Sequence, residues 1–154
     1  MFVLLRQLSA LRHAANLDRG SQRRAVMLRH VDAGSCNGCE HELGLATTPL
    51  HDLQRFGLDV VASPRHADVL LVTGAVTTHM AEPLRIAYAA MPEPRLVAAL
   101  GDCALGLGLL GDPAELIPVA EILPVDLTIP GCPPTLDEIA AALIMQLDAL
   151  RRRR

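Results

Sequence analysis

Four cysteines, Cys36, Cys39, Cys103 and Cys132, are the residues of this chain whose type and spacing suit chemistry. The first two form a C-x2-C pair; 63 residues then separate Cys39 from Cys103, and 28 separate Cys103 from Cys132. Each thiol has glycine close by, in Gly34-Ser35-Cys36-Asn37-Gly38-Cys39, Gly101-Asp102-Cys103 and Pro130-Gly131-Cys132-Pro133-Pro134. Glycine lets the backbone approach closely or take positive φ, which a group whose sulfurs accept backbone N–H bonds requires. Pro133 removes one donor and stiffens the exit from Cys132. Four converging thiolates suit a [4Fe–4S] cubane or a structural zinc. Structural zinc usually takes two short knuckles close in sequence, whereas here the second half is split over two stretches. Two disulfides are the third reading, and a reducing compartment argues against them. Spacing favours the cluster over zinc and over metal-free thiols, and leaves all three open.

The elements around the thiols determine whether they can meet. Ala25 to Val31 reads as a strand ending at Asp32-Ala33-Gly34. A helical stretch from about Cys39 to Phe56 is weakened by Pro49. Leu58 to Ala62 and the apolar Ala67 to Thr73 are the next strands. Pro83 to Met91 fits a helix, Leu96 to Leu100 a fourth strand, Pro113 to Leu116 a short helical turn and Leu127 to Ile129 a fifth strand. In the last helix Thr135 and Glu138 make a capping box, with Leu136, Ile139, Leu143, Leu147 and Leu150 on its apolar face. Strands alternating with helices imply parallel pairing, and nearly all-apolar strands imply a sheet covered on both faces. The expected fold is α/β: a doubly wound, mostly parallel five-stranded sheet of flavodoxin-like order. Cys36 and Cys39 follow its first strand, Cys103 its fourth and Cys132 its fifth. All three loops then leave from the carboxyl edge, where open α/β sheets form ligand sites.

Residues 1–20 read as an N-terminal amphipathic docking helix, with Leu4, Leu5, Leu8 and Leu11 on one stripe. Residues 21–150 form the single α/β domain, and Arg151 to Arg154 a basic tail, solvated or against anionic headgroups. With 14 basic and 17 acidic residues, bulk nucleic-acid binding is not expected. Aromatics at 2% give no platform for base stacking. No apolar run approaches the roughly 20 residues of a membrane span. Met1-Phe2-Val3-Leu4-Leu5 is interrupted by Arg6, and Arg23-Arg24 makes a poor twin-arginine signal. The chain reads as cytoplasmic.

Ser35-Cys36-Asn37-Gly38-Cys39-Glu40, Gly101-Asp102-Cys103-Ala104 and Pro130-Gly131-Cys132-Pro133-Pro134 resemble the small subunits of [NiFe] hydrogenases. They also resemble the homologous quinone-proximal iron–sulfur subunit of respiratory complex I. The stretch from Arg65 to Met80 and Met91-Pro92-Glu93-Pro94 are similar to the same family, so the likeness spans roughly residues 25–147. The resemblance implies that all four cysteines hold one [4Fe–4S] cluster, next to a catalytic site in a partner large subunit that carries the nickel–iron centre. The complex I subunit has adjacent cysteines in its first motif; the C-x2-C here is the hydrogenase form. Exported uptake hydrogenases have a longer small subunit with a second domain and an export signal. This chain is more similar to the short small subunits of membrane-bound, energy-converting and formate-hydrogenlyase-type enzymes. The implied role is electron transfer within an oxidoreductase complex, with no bond chemistry by this chain alone. Implied partners are a hydrogenase-type large subunit, a ferredoxin-like iron–sulfur subunit and membrane-arm subunits. The rivals are a complex I-like subunit whose large partner handles quinone, and a zinc-stabilised scaffold without redox role. Gly106-Leu107-Gly108 replaces a tighter glycine pair of the family and is expected to reshape the loop without removing a ligand.

Glu40 and Glu42 open the helix after the C-x2-C, where carboxylates are stabilising in their own right; the functional reading of Glu40 is a proton relay. Asp102 is expected to hydrogen-bond its loop. His30, His41, His51, His66 and His79 are expected at the surface or an interface. Thr73, Thr77 and Thr78 lie on the thiol edge, where satisfying local backbone is their expected role. Gly101 to Gly108 fits neither G-x-G-x-x-G nor a G-K-[ST] loop, so dinucleotide binding is not expected.

Overall fold

The computed structural model describes residues 25–46, 48–49, 51–108 and 116–151. Five strands, β1 (Val26–Asp32), β2 (Leu58–Val60), β3 (Val69–Thr73), β4 (Leu96–Leu100) and β5 (Leu127–Ile129), form one sheet in the order β2-β1-β3-β4-β5. Every pairing is parallel; Leu28 aligns with Val69, Val69 with Leu96, and Ala98 with Leu127. This is the expected flavodoxin-like order. Helices α1 (Gly38–Leu45), α2 (Ala81–Ala89), α3 (Val119–Ile122) and α4 (Leu136–Arg151) connect and cover it.

All five residues of β3 are buried. Its alternate side chains feed two cores: Val69 and Leu71 join Leu28, Leu100, Ile139 and Leu143 on one face. Leu70 and Val72 join Val97, Leu84 and Val119 on the other. A strand buried on both faces has no polar side to show, so it reads as a continuous apolar run.

The expected helix from Cys39 to Phe56 is two pieces. α1 stops at Leu45, and a separate 3-10 turn, Leu53–Phe56, starts where the Asp52 carboxylate accepts from the Gln54 amide at 3.0 Å. Proline cannot continue a helix, and Asp is a better cap than helix interior; both lie in the break. β2 ends at Val60 rather than Ala62, and another 3-10 turn, Pro64–His66, precedes β3. At α4 the capping box forms: the Glu138 carboxylate accepts from both the amide and the hydroxyl of Thr135, each at 2.8 Å. Leu136, Ile139 and Leu143 are buried as expected. The docking helix at 1–20, tail residues 152–154, residues 113–115 of the expected short helical turn and the side chains of Leu147 and Leu150 lie outside the described residues. No helix among the described residues is long and apolar enough to cross a membrane.

Candidate metal centre

β1 ends at Asp32, and the next residues fold back over its carboxylate. Asp32 Oδ1 accepts from the amides of Gly34 at 2.9 Å and Ser35 at 2.8 Å. Burial pushes this carboxyl up, but the two amides outweigh it and hold it below its ordinary value. Asn37 adopts left-handed backbone with φ of 68° before α1, a conformation Asn tolerates better than most residues. The turn leaves Cys36 exposed and sets Cys39, in the first turn of α1, half-buried.

The loops after β4 and β5 are tied by Asp102. Its amide donates to Gly131 O at 2.8 Å, and its Oδ1 accepts from the Gly131 amide at 2.7 Å. The expected loop role of Asp102 is thus a two-point bond between the Cys103 and Cys132 loops. Cys103 is half-buried and Cys132 exposed.

Glycine backbone packs closely against two of the four sulfurs. Gly101 has φ of 88°, and a Cβ there would lie 2.7 Å from Cys39 Sγ. A Cβ on Gly108 would lie 2.6 Å from Cys103 Sγ. Gly108, expected only to reshape its loop, therefore lies directly against a candidate ligand. Gly38 is in looser contact, with a Cβ there falling 3.5 Å from Cys36 Sγ and 3.8 Å from Pro133. The first motif thus touches both of the others.

The thiols also sense one another. Cys39 is pushed up to about 12, first by burial, then by the Glu40 charge and the other three cysteines. Cys103 is raised by burial, then by Cys132, Cys36 and Asp102. Among the described residues, no three His, Cys, Asp or Glu side chains are drawn together around a point as one metal ion would need. A cubane takes each thiolate on a different iron and so suits a wider ring than zinc, whose sulfurs sit about 2.3 Å from one centre. Four soft thiols on one sheet edge, with glycine backbone against two sulfurs, fit such a cluster.

Glu40 is held by residues from three elements. The Ser35 hydroxyl donates to its Oε2 at 2.7 Å, and the Thr73 hydroxyl donates to its Oε1. His30 Nε2 lies 2.9 Å from Thr73 Oγ1 and 3.5 Å from Glu40 Oε1. One expectation changes here: Thr73 is fully buried and bonds side chains rather than local backbone, while His30, expected at the surface or an interface, is half-buried. Burial lowers the His30 pKa, outweighing the Glu40 and Asp32 charges that raise it. Glu42 accepts from the Leu136 amide at 3.2 Å, joining α1 to the start of α4. His41, His51, His66 and His79 are exposed.

Residues 36–146 match the family model of the NADH ubiquinone oxidoreductase 20 Kd subunit. The "probable membrane-bound hydrogenase subunit" of Pyrococcus furiosus is 42% identical over 130 residues, covering 84% of this chain and 78% of that protein. An NADH-quinone oxidoreductase subunit from a Nocardioides species is 41% identical over 114 residues, 73% of this chain and 62% of that protein. Among solved structures, a chain of an archaeal membrane-bound sulfane sulfur reductase superposes with a TM-score of 0.68 at 31% identity, covering 81% of this chain and 70% of that one. The family match and these relatives support an electron-transfer subunit of the hydrogenase and complex I-related oxidoreductases. Within that class, the chain belongs to the 20 kDa subunit family of NADH:ubiquinone oxidoreductase.

Proposed function

We propose that this chain is the electron-transfer subunit of a membrane-associated [NiFe] hydrogenase complex, and that Cys36, Cys39, Cys103 and Cys132 hold one [4Fe–4S] cluster in it. The observation that carries the reading is the convergence of three thiol-bearing loops on one sheet edge, with the first pair spaced C-x2-C. When bound, the cluster supplies a one-electron carrier. The chain itself sets the geometry: Gly101 and Gly108 let main chain lie against two sulfurs, and Asp102 locks two loops together. Exposed Cys36 and Cys132 leave the other side open to a large subunit that holds the nickel–iron site. A ferredoxin-like subunit is the electron partner, because a single cluster does not cross a large complex alone. The complex sits at the cytoplasmic face of the membrane, with residues 1–20 docking on a neighbouring or membrane-arm subunit.

The second reading, a complex I-like subunit with a quinone-handling partner, is supported by the 41% identity to an NADH-quinone oxidoreductase subunit. The C-x2-C spacing favours the first. Anaerobic purification through a tag on this chain separates them. The hydrogenase reading predicts a co-purifying large subunit containing nickel and hydrogen-dependent dye reduction. A nickel-free large subunit with quinone reductase activity contradicts it in favour of the second reading. A colourless, zinc-loaded monomer contradicts both. Deleting residues 1–20 is expected to keep the cluster and reduce yield from the membrane fraction; cluster loss with attachment retained contradicts the docking role.

A further inference from the structure

Thr73 ends β3 and is the one fully buried polar side chain among the described residues. A buried hydroxyl needs partners, and here they fix a direction. The single Thr73 hydroxyl proton goes to Glu40 Oε1, so its oxygen accepts from His30, which then carries its proton on Nε2. Ser35 repeats the pattern: its hydroxyl donates to Glu40 Oε2 while its oxygen accepts from the Asn37 amide at 3.1 Å. Both hydroxyl protons point at one carboxylate, and each hydroxyl oxygen is occupied behind. Hydrogen bonds to a carboxylate are charge-assisted and stronger than neutral ones.

We infer that Glu40 is a fixed negative charge that lowers the reduction potential of the group bound by the four cysteines, with Thr73, Ser35 and His30 as its positioning residues. The inference rests on the proposed function, since it needs the cluster to be there. Glu40 follows Cys39 directly in sequence, and its carboxylate is held against the end of β3 on the thiol edge. Reduction adds an electron to a centre already ringed by thiolates, and a held anion beside it opposes that addition. Net charge and hydrogen bonding are among the factors that set cluster potentials.

The test is an EPR-monitored redox titration of the intact purified complex. Glu40→Gln, which keeps shape and removes charge, is expected to retain the cluster and raise its midpoint potential. Thr73→Val frees the carboxylate to turn toward water and should raise the midpoint by less. Thr73→Ser, which restores the hydroxyl, should return it to the unmodified value. A Glu40→Gln midpoint equal to that of the unmodified complex overturns the inference, whether or not turnover falls. If Glu40→Gln does not assemble, the Thr73 pair carries the test: equal midpoints in Thr73→Val and Thr73→Ser overturn it. Absence of any [4Fe–4S] signal from the unmodified complex overturns the proposed function and this inference with it, whereas a signal with an unmoved midpoint overturns this inference alone.

Discussion

Cys39 and Cys103 carry the same functional group as Cys36 and Cys132 in different surroundings. The inner pair is half-buried, and each sulfur has glycine main chain against it, from Gly101 and Gly108. The outer pair is exposed, on a left-handed turn at Asn37 and before the Pro133-Pro134 step. The domain's own packing therefore fixes one side of the site. The other side carries the two exposed thiols, as the proposed electron transfer across an interface would use. An isolated redox protein gains by enclosing its cluster; a subunit gains by presenting one side.

The largest effect that would break this contrast lies on the inner side. Gly101→Ala puts a Cβ 2.7 Å from Cys39 Sγ at a φ of 88°, and left-handed backbone alone costs an L-residue roughly 1–2 kcal/mol. Gly108→Ala puts one 2.6 Å from Cys103 Sγ. Both should sharply reduce iron and acid-labile sulfide in the purified complex and lower its melting temperature. Normal iron content in both variants would mean that the inner thiols are not held by close packing.

An intermediate effect is expected in the pH response of the metal-free chain. Iodoacetamide near neutral pH should modify exposed Cys36 and Cys132 well before Cys39, read by peptide mass spectrometry. Cys39 is raised from its ordinary 9.0 to about 12 in the folded chain. The folded chain therefore holds a proton that the unfolded chain releases. Its contribution to stability is complete below about pH 9 and is lost as pH rises toward about 12. All 14 basic residues are arginine, so no lysine ionises in that window to obscure the loss. A urea midpoint unchanged between pH 9 and 11 would contradict the burial of this thiol.

The smallest effect belongs to the outer turn. Asn37 makes no side-chain cap bond to α1, so Asn37→Gly should change stability by no more than about 0.5 kcal/mol and leave iron content intact. A large loss there would show that the outer thiols are as tightly constrained as the inner ones.

The placement of the three thiol-bearing loops on one sheet edge was legible because it depends on strand order, and strand order follows from short apolar runs alternating with helical segments. The Thr135–Glu138 cap was legible because both partners lie within one turn. The Glu40 network was not, because Thr73 and His30 meet across 43 residues of sequence and no local pattern couples them. One signal was available: Thr73 is the polar end of the otherwise apolar Val69-Leu70-Leu71-Val72, and a buried hydroxyl must find a partner. The packing of Gly108 against Cys103 was hidden because it depends on the path of the loop rather than on distance along the chain. The long helix expected to reach Phe56 failed on a conflict visible in advance, with Pro49 and Asp52 inside a stretch whose apolar pattern continues.

The central claim is that all four thiols hold one cluster, and serine substitution at each in turn tests it most directly. Oxygen is a harder ligand than thiolate and serves iron–sulfur centres poorly. Iron, sulfide and EPR measurements on the anaerobically purified complex should show one [4Fe–4S] cluster in the unmodified protein. They should show its loss in Cys39→Ser and Cys103→Ser, and its loss or degradation in Cys36→Ser and Cys132→Ser. Full cluster content with an unchanged spectrum in any one of the four, Cys132→Ser for instance, would remove that thiol from the site and contradict the account.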